Sequence, residues 1–184
     1  MAAKVQVVFY SLYTHVYQLA EAVVEGAEGA GAEVTLAQVP EILSPEILEK
    51  MGATEAKKSF AHVPTADPHA LADADAIILG VPTRFGASAA SMQAFLDATG
   101  GLWAQGKLAD KVYAAFTSSN TLHGGQETTL LSLYITLMHF GGIIVPPGYT
   151  DPCKFVDGNP YGASLVATHD NIAEFDEPTE NALD

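Results

Sequence analysis

A chain of 184 residues with 48% hydrophobic residues is long enough to bury one sizeable core, and no apolar run in it approaches the length of a membrane span. Its net charge of −14, from 22 acids against 8 bases, sets up a field that repels nucleic acid and anionic membranes. Cys153 is the only cysteine, which rules out an intrachain disulfide and points to a reducing, cytoplasmic location, as does an N-terminus that enters a strand without a signal-peptide pattern.

The first predicted strand is Val5-Gln6-Val7-Val8-Phe9, a β-branched and aromatic run. It ends in Tyr10-Ser11-Leu12-Tyr13-Thr14-His15, and a helix follows, with Val16, Leu19, Ala20, Val23, Val24 and Ala27 on one face at helical spacing. A strand that feeds a hydroxyl-rich turn and then a helix makes an anion site: the first-turn N–H groups lack intrahelical partners, and the positive end of the dipole faces the turn. Ser11, Tyr13 and Thr14 add hydroxyl donors. The lysine of a P-loop is missing, and so is the glycine pattern of a dinucleotide fingerprint. That directs the loop away from ATP and NAD and toward the phosphate of a mononucleotide. Taken alone, the segment reads equally well as an ordinary capped helix.

Further along, Gly26-Ala27-Glu28-Gly29-Ala30-Gly31 reads as a helix end and turn, and residues 33–39 as a half-exposed strand. In residues 40–67, Ser44-Pro45-Glu46 starts a helix that Gly52 stops, and residues 54–67 are expected to be loop. Residues 76–80 form a buried strand, 89–98 a helix carrying Met92, Phe95 and Leu96, and 112–116 another buried strand. Residues 126–139 form a long helix and 142–145 a short apolar strand, after which residues 146–170, rich in Pro, Gly, Asp and Asn, read as an extended excursion. Residues 176–184 look like the start of a closing helix that the sequence cuts short. Strands alternating with helices imply crossovers and an α/β fold: a doubly wound open parallel sheet, flavodoxin-like, with strand order 2-1-3-4-5, in a single domain spanning residues 1–184.

Ligands of such sheets bind beyond the carboxyl ends of the strands. Three loops qualify: residues 11–16; Val81-Pro82-Thr83-Arg84-Phe85-Gly86-Ala87-Ser88; and Thr117-Ser118-Ser119-Asn120-Thr121-Leu122-His123-Gly124-Gly125. All three are rich in hydroxyls, glycine and backbone N–H groups and poor in carboxylates, a composition that suits a planar, polar-edged ring with a phosphate tail. Phe85 is placed to lie against the ring, Gly86 admits close backbone approach, and residues 117–120 offer hydrogen bonds to a heterocycle edge. Arg84 is the sole arginine of the chain and a candidate ligand contact, with a surface salt bridge as the alternative. Other chemistries fail on inventory. The six histidines show no zinc spacing, no G-x-S-x-G elbow is present, and Asp73 and Asp75 sit in what reads as a solvated turn.

Tyr10-Ser11-x-Tyr13-x-His15, Pro82-Thr83-Arg84-Phe85-Gly86, Gly100-Gly101-Leu102-Trp103, Gly124-Gly125-Gln126-Glu127 and Pro160-Tyr161-Gly162 resemble the WrbA family of flavodoxin-like NAD(P)H:quinone oxidoreductases, in order and over nearly the whole chain. The resemblance implies FMN as cofactor, two-electron reduction of quinones by NADH or NADPH, and a homotetramer; three loops that leave one face of the ring open add the expectation of ping-pong hydride transfer through the flavin. It assigns the FMN phosphate to Ser11, Thr14, His15 and Val16, with Tyr13 beside them. The ring falls to Pro82, Thr83, Arg84, Phe85 and Gly86, and the polar edge and ribityl chain to Thr117, Ser118, Ser119, Asn120 and Gly125. No residue stands out as a certain catalyst. Trp103, which in the family reaches toward a neighbouring subunit's flavin, is a candidate, and so are His139 and Phe140.

The chain departs from the family in three places. Thr14 stands where many members have glycine, a costly choice if the position requires positive φ. His139-Phe140-Gly141 replaces a His-His-Gly motif, so Phe140 occupies the place of a histidine that points at the flavin. The full final helix of the family is missing. A flavodoxin-like electron carrier or regulatory flavin-binding module is the alternative reading, favoured by the strong acidity; Trp103 and the long excursions argue for the enzyme.

Overall fold

A computed structural model describes residues 1–167. Its strands are β1 (Lys4–Phe9), β2 (Glu33–Gln38), β3 (Ala76–Arg84), β4 (Ala87–Ser88), β5 (Val112–Ser119), β6 (Ile143–Ile144) and β7 (Ala163–Val166). The helices are α1 (His15–Gly29), α2 (Pro45–Lys50), α3 (Thr54–Ser59), α4 (Ala90–Asp97), α5 (Gly100–Ala104), α6 (Gln126–His139) and α7 (Lys154–Asp157), with a 3₁₀ turn at Pro68–Asp73.

The sheet runs β2-β1-β3-β5-β6 with these neighbours parallel, which is the predicted order for the five predicted strands. β4 folds back antiparallel on β3. Strand residues alternate between two buried faces, as a sheet covered on both sides requires. Val7 and Phe9 join Val16, Tyr17, Ala20 and Phe60 beneath α1. Val8, Leu79 and Val81 join Met92, Phe95, Leu130, Leu133 and Leu137 beneath α4 and α6. Leu130, Leu133 and Leu137 recur at the spacing of one helix face, and burying each fully is worth about 1.5–3 kcal/mol.

Two expectations are corrected. Residues 54–67 are not all loop, because Thr54–Ser59 forms α3. Its sequence Thr-Glu-Ala-Lys-Lys-Ser shows no apolar stripe, and the helix is held from its ends by the buried Ala53 and Phe60. The excursion after β6 does not run unbroken to residue 170 either. β7 pairs with the carboxyl half of β5, Phe116 opposite Ala163, whereas β6 pairs with its amino half, Val112 opposite Ile143. The fifth position of the sheet is therefore shared by two short strands. Gly162 permits the return, since a Cβ there would lie 2.3 Å from the Ala115 carbonyl oxygen. The buried Lys154 ammonium holds the excursion together by donating to Gly162 O at 3.0 Å and pairing with Asp157. The expected closing helix at residues 176–184 lies outside the described residues.

Candidate functional site

Phe9, Gly80 and Phe116 stand in one row across β1, β3 and β5; β1 ends at that row, but β3 runs on to Arg84 and β5 to Ser119, so residues 81–84 and 117–119, expected as loop, are paired strand that carries the second and third loops past the first on the same edge. Neighbouring strands are about 4.8 Å apart, which sets the loops at the spacing of one flat ligand.

In the first loop, Ser11 is buried and its hydroxyl donates to the Tyr13 carbonyl. Thr14 precedes α1 with φ −82° and ψ −22°, so the position asks for no positive φ and threonine carries no penalty there. Its side chain makes no capping bond. Among the described residues, no hydrogen bond engages the backbone N–H groups of Leu12, Tyr13, Thr14 or Val16. Tyr13 is partly exposed and donates its hydroxyl to the Met51 carbonyl at 2.9 Å.

The second loop contains one of two non-glycine residues with positive φ among the described residues. Phe85 has φ +54° and its ring is fully exposed. An aromatic residue in that region carries strain of order 1–3 kcal/mol, which persists where surrounding structure enforces it and clusters at ligand sites. Pro82 is buried. Arg84 makes no ion pair among the described residues, so the salt-bridge alternative finds no support. Its guanidinium is exposed and donates to the Thr83 carbonyl at 3.0 Å.

The second and third loops interlock. The Thr83 hydroxyl accepts from Gly86 N at 3.2 Å and from the Thr129 hydroxyl at 2.8 Å, and lies 3.3 Å from the Gly124 carbonyl oxygen. Gly125 has φ +93°, and a Cβ there would meet Gly86 Cα at 2.7 Å, so backbone rests on backbone. Thr117 donates to Val81 O at 2.6 Å, and Ser119 to Thr121 O at 2.7 Å. Ser118 is buried and Asn120 exposed. Several hydroxyls that read from sequence as ligand donors thus brace the loops, which leaves the backbone amides as the principal donors toward a ligand. The buried Gln126 donates to Leu122 O at 3.1 Å, and its Oε1 has no partner, an unmet acceptor beside the third loop.

Sequence reasoning missed Glu41 and Lys57. Lys57 reaches from α3 to Glu41 at 2.8 Å and to the Ser11 carbonyl at 3.1 Å, next to Tyr10, whose hydroxyl donates to Glu41 at 3.1 Å. Burial, with the Glu41 charge adding to it, pushes the Tyr10 phenol up to about 12 despite a hydrogen bond with Ser91 and the nearby Arg84 charge. Burial alone raises the Glu41 carboxyl, but hydrogen bonds from Lys57, Leu43 N and Tyr10 and the Lys57 charge hold it below its ordinary value. Both groups keep one protonation state near neutral pH, which suits structural roles rather than acid–base catalysis. The only signal for Lys57 was the scarcity of cations in the chain.

Trp103, His139 and Phe140 form a separate group. The Trp103 indole N–H donates to the His139 carbonyl at 2.9 Å. The 14 residues of α6 separate Gly125 from Phe140 by about 20 Å, and the chain then re-enters the sheet beside Val112 at the amino end of β5. Within one protomer these three residues and the three loops lie at opposite ends of the sheet.

Residues 14–151 match the family described as NADPH-dependent FMN reductase. The chain belongs to this family. A protein named NAD(P)H dehydrogenase (quinone) from Geotalea daltonii is 52% identical over 98% of this chain and 89% of its own length. One of the same name from Syntrophobacter fumaroxidans is 53% identical over 89% of this chain and 83% of its own. The crystal structure of a flavodoxin, WrbA-like protein from Agrobacterium tumefaciens superposes with a TM-score of 0.60 at 33% identity, covering 82% of each chain. The family's flavin fits what the loops present: unengaged amides at a helix N-terminus, a glycine-on-glycine contact that keeps two loops thin, an exposed strained aromatic and an unmet buried acceptor. Among the described residues no helix is long and apolar enough to cross a membrane, and no cluster of His, Cys, Asp or Glu is able to hold a metal.

Proposed function

We propose that the chain is an FMN-dependent NAD(P)H dehydrogenase (quinone) of the WrbA type. The observation that carries the reading is 52% identity, over 98% of the chain, to a protein of that activity, with the three loops kept together on one sheet edge. FMN is preferred to FAD because the first loop offers one phosphate site and no pyrophosphate fingerprint accompanies it.

Bound FMN supplies the two-electron relay between NAD(P)H and a quinone. The residues of the chain bind and orient. The amides of Leu12, Tyr13, Thr14 and Val16 and the Thr14 hydroxyl would take the phosphate, with Ser11 and His15 shaping the turn. Pro82, Thr83, Arg84, Phe85 and Gly86 would line the ring, and residues 117–120 with Gly125 would face its polar edge and ribityl chain, the Thr117 and Ser119 hydroxyls bracing that wall from within. No side chain acts as nucleophile. With the loops holding the phosphate, the ribityl chain and one edge, one face of the ring would be left for both substrates, and competition of NAD(P)H and quinone for it would make turnover ping-pong.

The working species is a homotetramer in which Trp103, His139 and Phe140 serve a neighbouring subunit's site. Trp103 is 56% exposed, and α6 turns Leu131, Ile135 and Met138 outward at helical spacing, an uncharged apolar stripe in a chain of net charge −14. Such a stripe on a soluble monomer is a liability, and covering it by a second copy removes it. A monomeric carrier would leave it bare. Steady-state NADH oxidation with benzoquinone, run beside light scattering, tests both parts. Turnover by an oligomer is expected; a monomer with no turnover refutes the reading.

A further inference from the structure

We infer that Lys57 is a positioning residue for the phosphate-binding loop, holding the Ser11–Leu12 peptide so that its N–H, and not its carbonyl, faces the anion. The inference rests on the proposal that this loop binds the FMN phosphate.

In a trans peptide the C=O and the following N–H point in opposite directions. Lys57 Nζ donates to Ser11 O at 3.1 Å, so the Leu12 N–H is directed away from Lys57. The Ser11 hydroxyl donates to Tyr13 O and fixes the direction of the Thr14 N–H in the same manner. Thr14 O accepts from Gln18 N at 2.9 Å. Three carbonyl oxygens of the turn are thus occupied on the protein side. If the Ser11–Leu12 peptide flipped, it would exchange a donor for a carbonyl oxygen, which repels phosphate.

Lys57 is suited to this task. Its side chain is 16% exposed, and its ammonium lies 5.0 Å from the Tyr10 ring centroid and 5.4 Å from that of Phe60. Glu41 holds the other side of the ammonium. Its carboxylate also accepts from Ile42 N at 2.9 Å, Leu43 N at 3.0 Å and Tyr10 at 3.1 and 3.2 Å. The ion pair is neutral overall, yet its positive end touches the loop and its negative end is turned into other donors. α2 and α3 act as a strap, fastened a second time where Tyr13 donates to Met51 O.

The experiment compares FMN with riboflavin, which lacks the phosphate, by fluorescence titration of the flavin-free full-length protein. Lys57→Met keeps the aliphatic stem against Tyr10 and Phe60 and removes the donor. It is expected to weaken FMN by about tenfold or more while leaving riboflavin within about twofold. Equal weakening of both ligands, or an unchanged FMN-to-riboflavin ratio, overturns the inference. Should Lys57→Met fail to fold, Lys57→Gln is read in its place with the same two ligands: a reduced preference for FMN supports the inference, and an unchanged one overturns it. A wild-type protein with no preference for FMN refutes the phosphate reading of the loop, and this inference with it. A wild type that prefers FMN, beside a Lys57→Met variant with the same preference, refutes the inference alone.

Discussion

At the carboxyl ends of β1, β3 and β5 the surface is made of backbone: the amides of Leu12, Tyr13, Thr14 and Val16, which have no partner among the described residues, glycine packed on glycine, and hydroxyls spent on bracing. At the opposite end, about one helix length away, it is made of side chains: Trp103 on the His139 carbonyl, Phe140 beside them, and an apolar stripe along α6. The first end gathers the residues proposed to hold the phosphate and ring within one chain. The second has exposed apolar area and no acceptor for it within its own protomer. On the proposed function one end serves a small ligand and the other a second copy of the chain, and substitutions at each should fail differently.

The largest effect is expected at the loop end, from Gly125→Ala. Positive φ alone costs a non-glycine residue about 1–2 kcal/mol. The added Cβ would also lie 2.7 Å from Gly86 Cα, a backbone atom that cannot rotate away. Loss of flavin on gel filtration, with a lowered urea midpoint, is the expected outcome; retained flavin would mean that the loops do not form the site together. Arg84→Ala comes next. It removes a guanidinium with no ion pair among the described residues, so the melting temperature of the flavin-free protein should hold while ligand affinity falls roughly ten- to a hundredfold. Trp103→Ala should reverse that pattern. In the proposed tetramer the exposed Trp103 is covered by another copy, and truncating such an aromatic costs association about 2 kcal/mol or more, so light scattering should show smaller species with flavin affinity per chain preserved.

A smaller effect separates the strap from both ends. The Glu41 carboxyl titrates below its ordinary value in the folded protein. A depressed acid contributes stability that is full above its unfolded pKa, near 4.5, and is lost as pH falls through the folded value. Acid titration of the flavin-free protein should therefore show a stability loss below pH 4.5 that Glu41→Gln reduces; an identical profile in the variant would remove Glu41 from the strap. The smallest change is expected from Phe140→His, which restores the family pattern. A polar contact of roughly 1 kcal/mol should raise quinone turnover by under about tenfold, with parallel initial-rate lines retained. Intersecting lines would mean that both substrates bind together.

The strands were legible because Val7–Phe9, Ile77–Leu79 and Tyr113–Phe116 carry their apolar pattern in consecutive residues, and the loops because hydroxyls and glycines follow those runs directly. What escaped was held by contacts between distant residues. α3 has no stripe of its own and is fixed by Ala53, Phe60 and the Lys57–Glu41 pair. β7 exists because Gly162 lets the chain approach Ala115, a contact 47 residues away in sequence. The roles of Thr83 and Thr117 were only half legible. Residue type announced hydrogen-bonding hydroxyls, but Thr129 and the Val81 carbonyl, which engage them, come from other elements. The conditional cost assigned to Thr14 disappeared for the same reason, since the local turn holds it at φ −82°.

Reconstitution tests the division between the two ends most directly. The flavin-free protein is titrated with FMN, and bound flavin and NADH:benzoquinone turnover are read on the same samples. Binding should saturate at one FMN per chain, and turnover should rise in proportion to occupancy. Turnover without flavin, or FAD binding as tightly as FMN, would contradict a single-phosphate flavin site at the carboxyl ends of the strands.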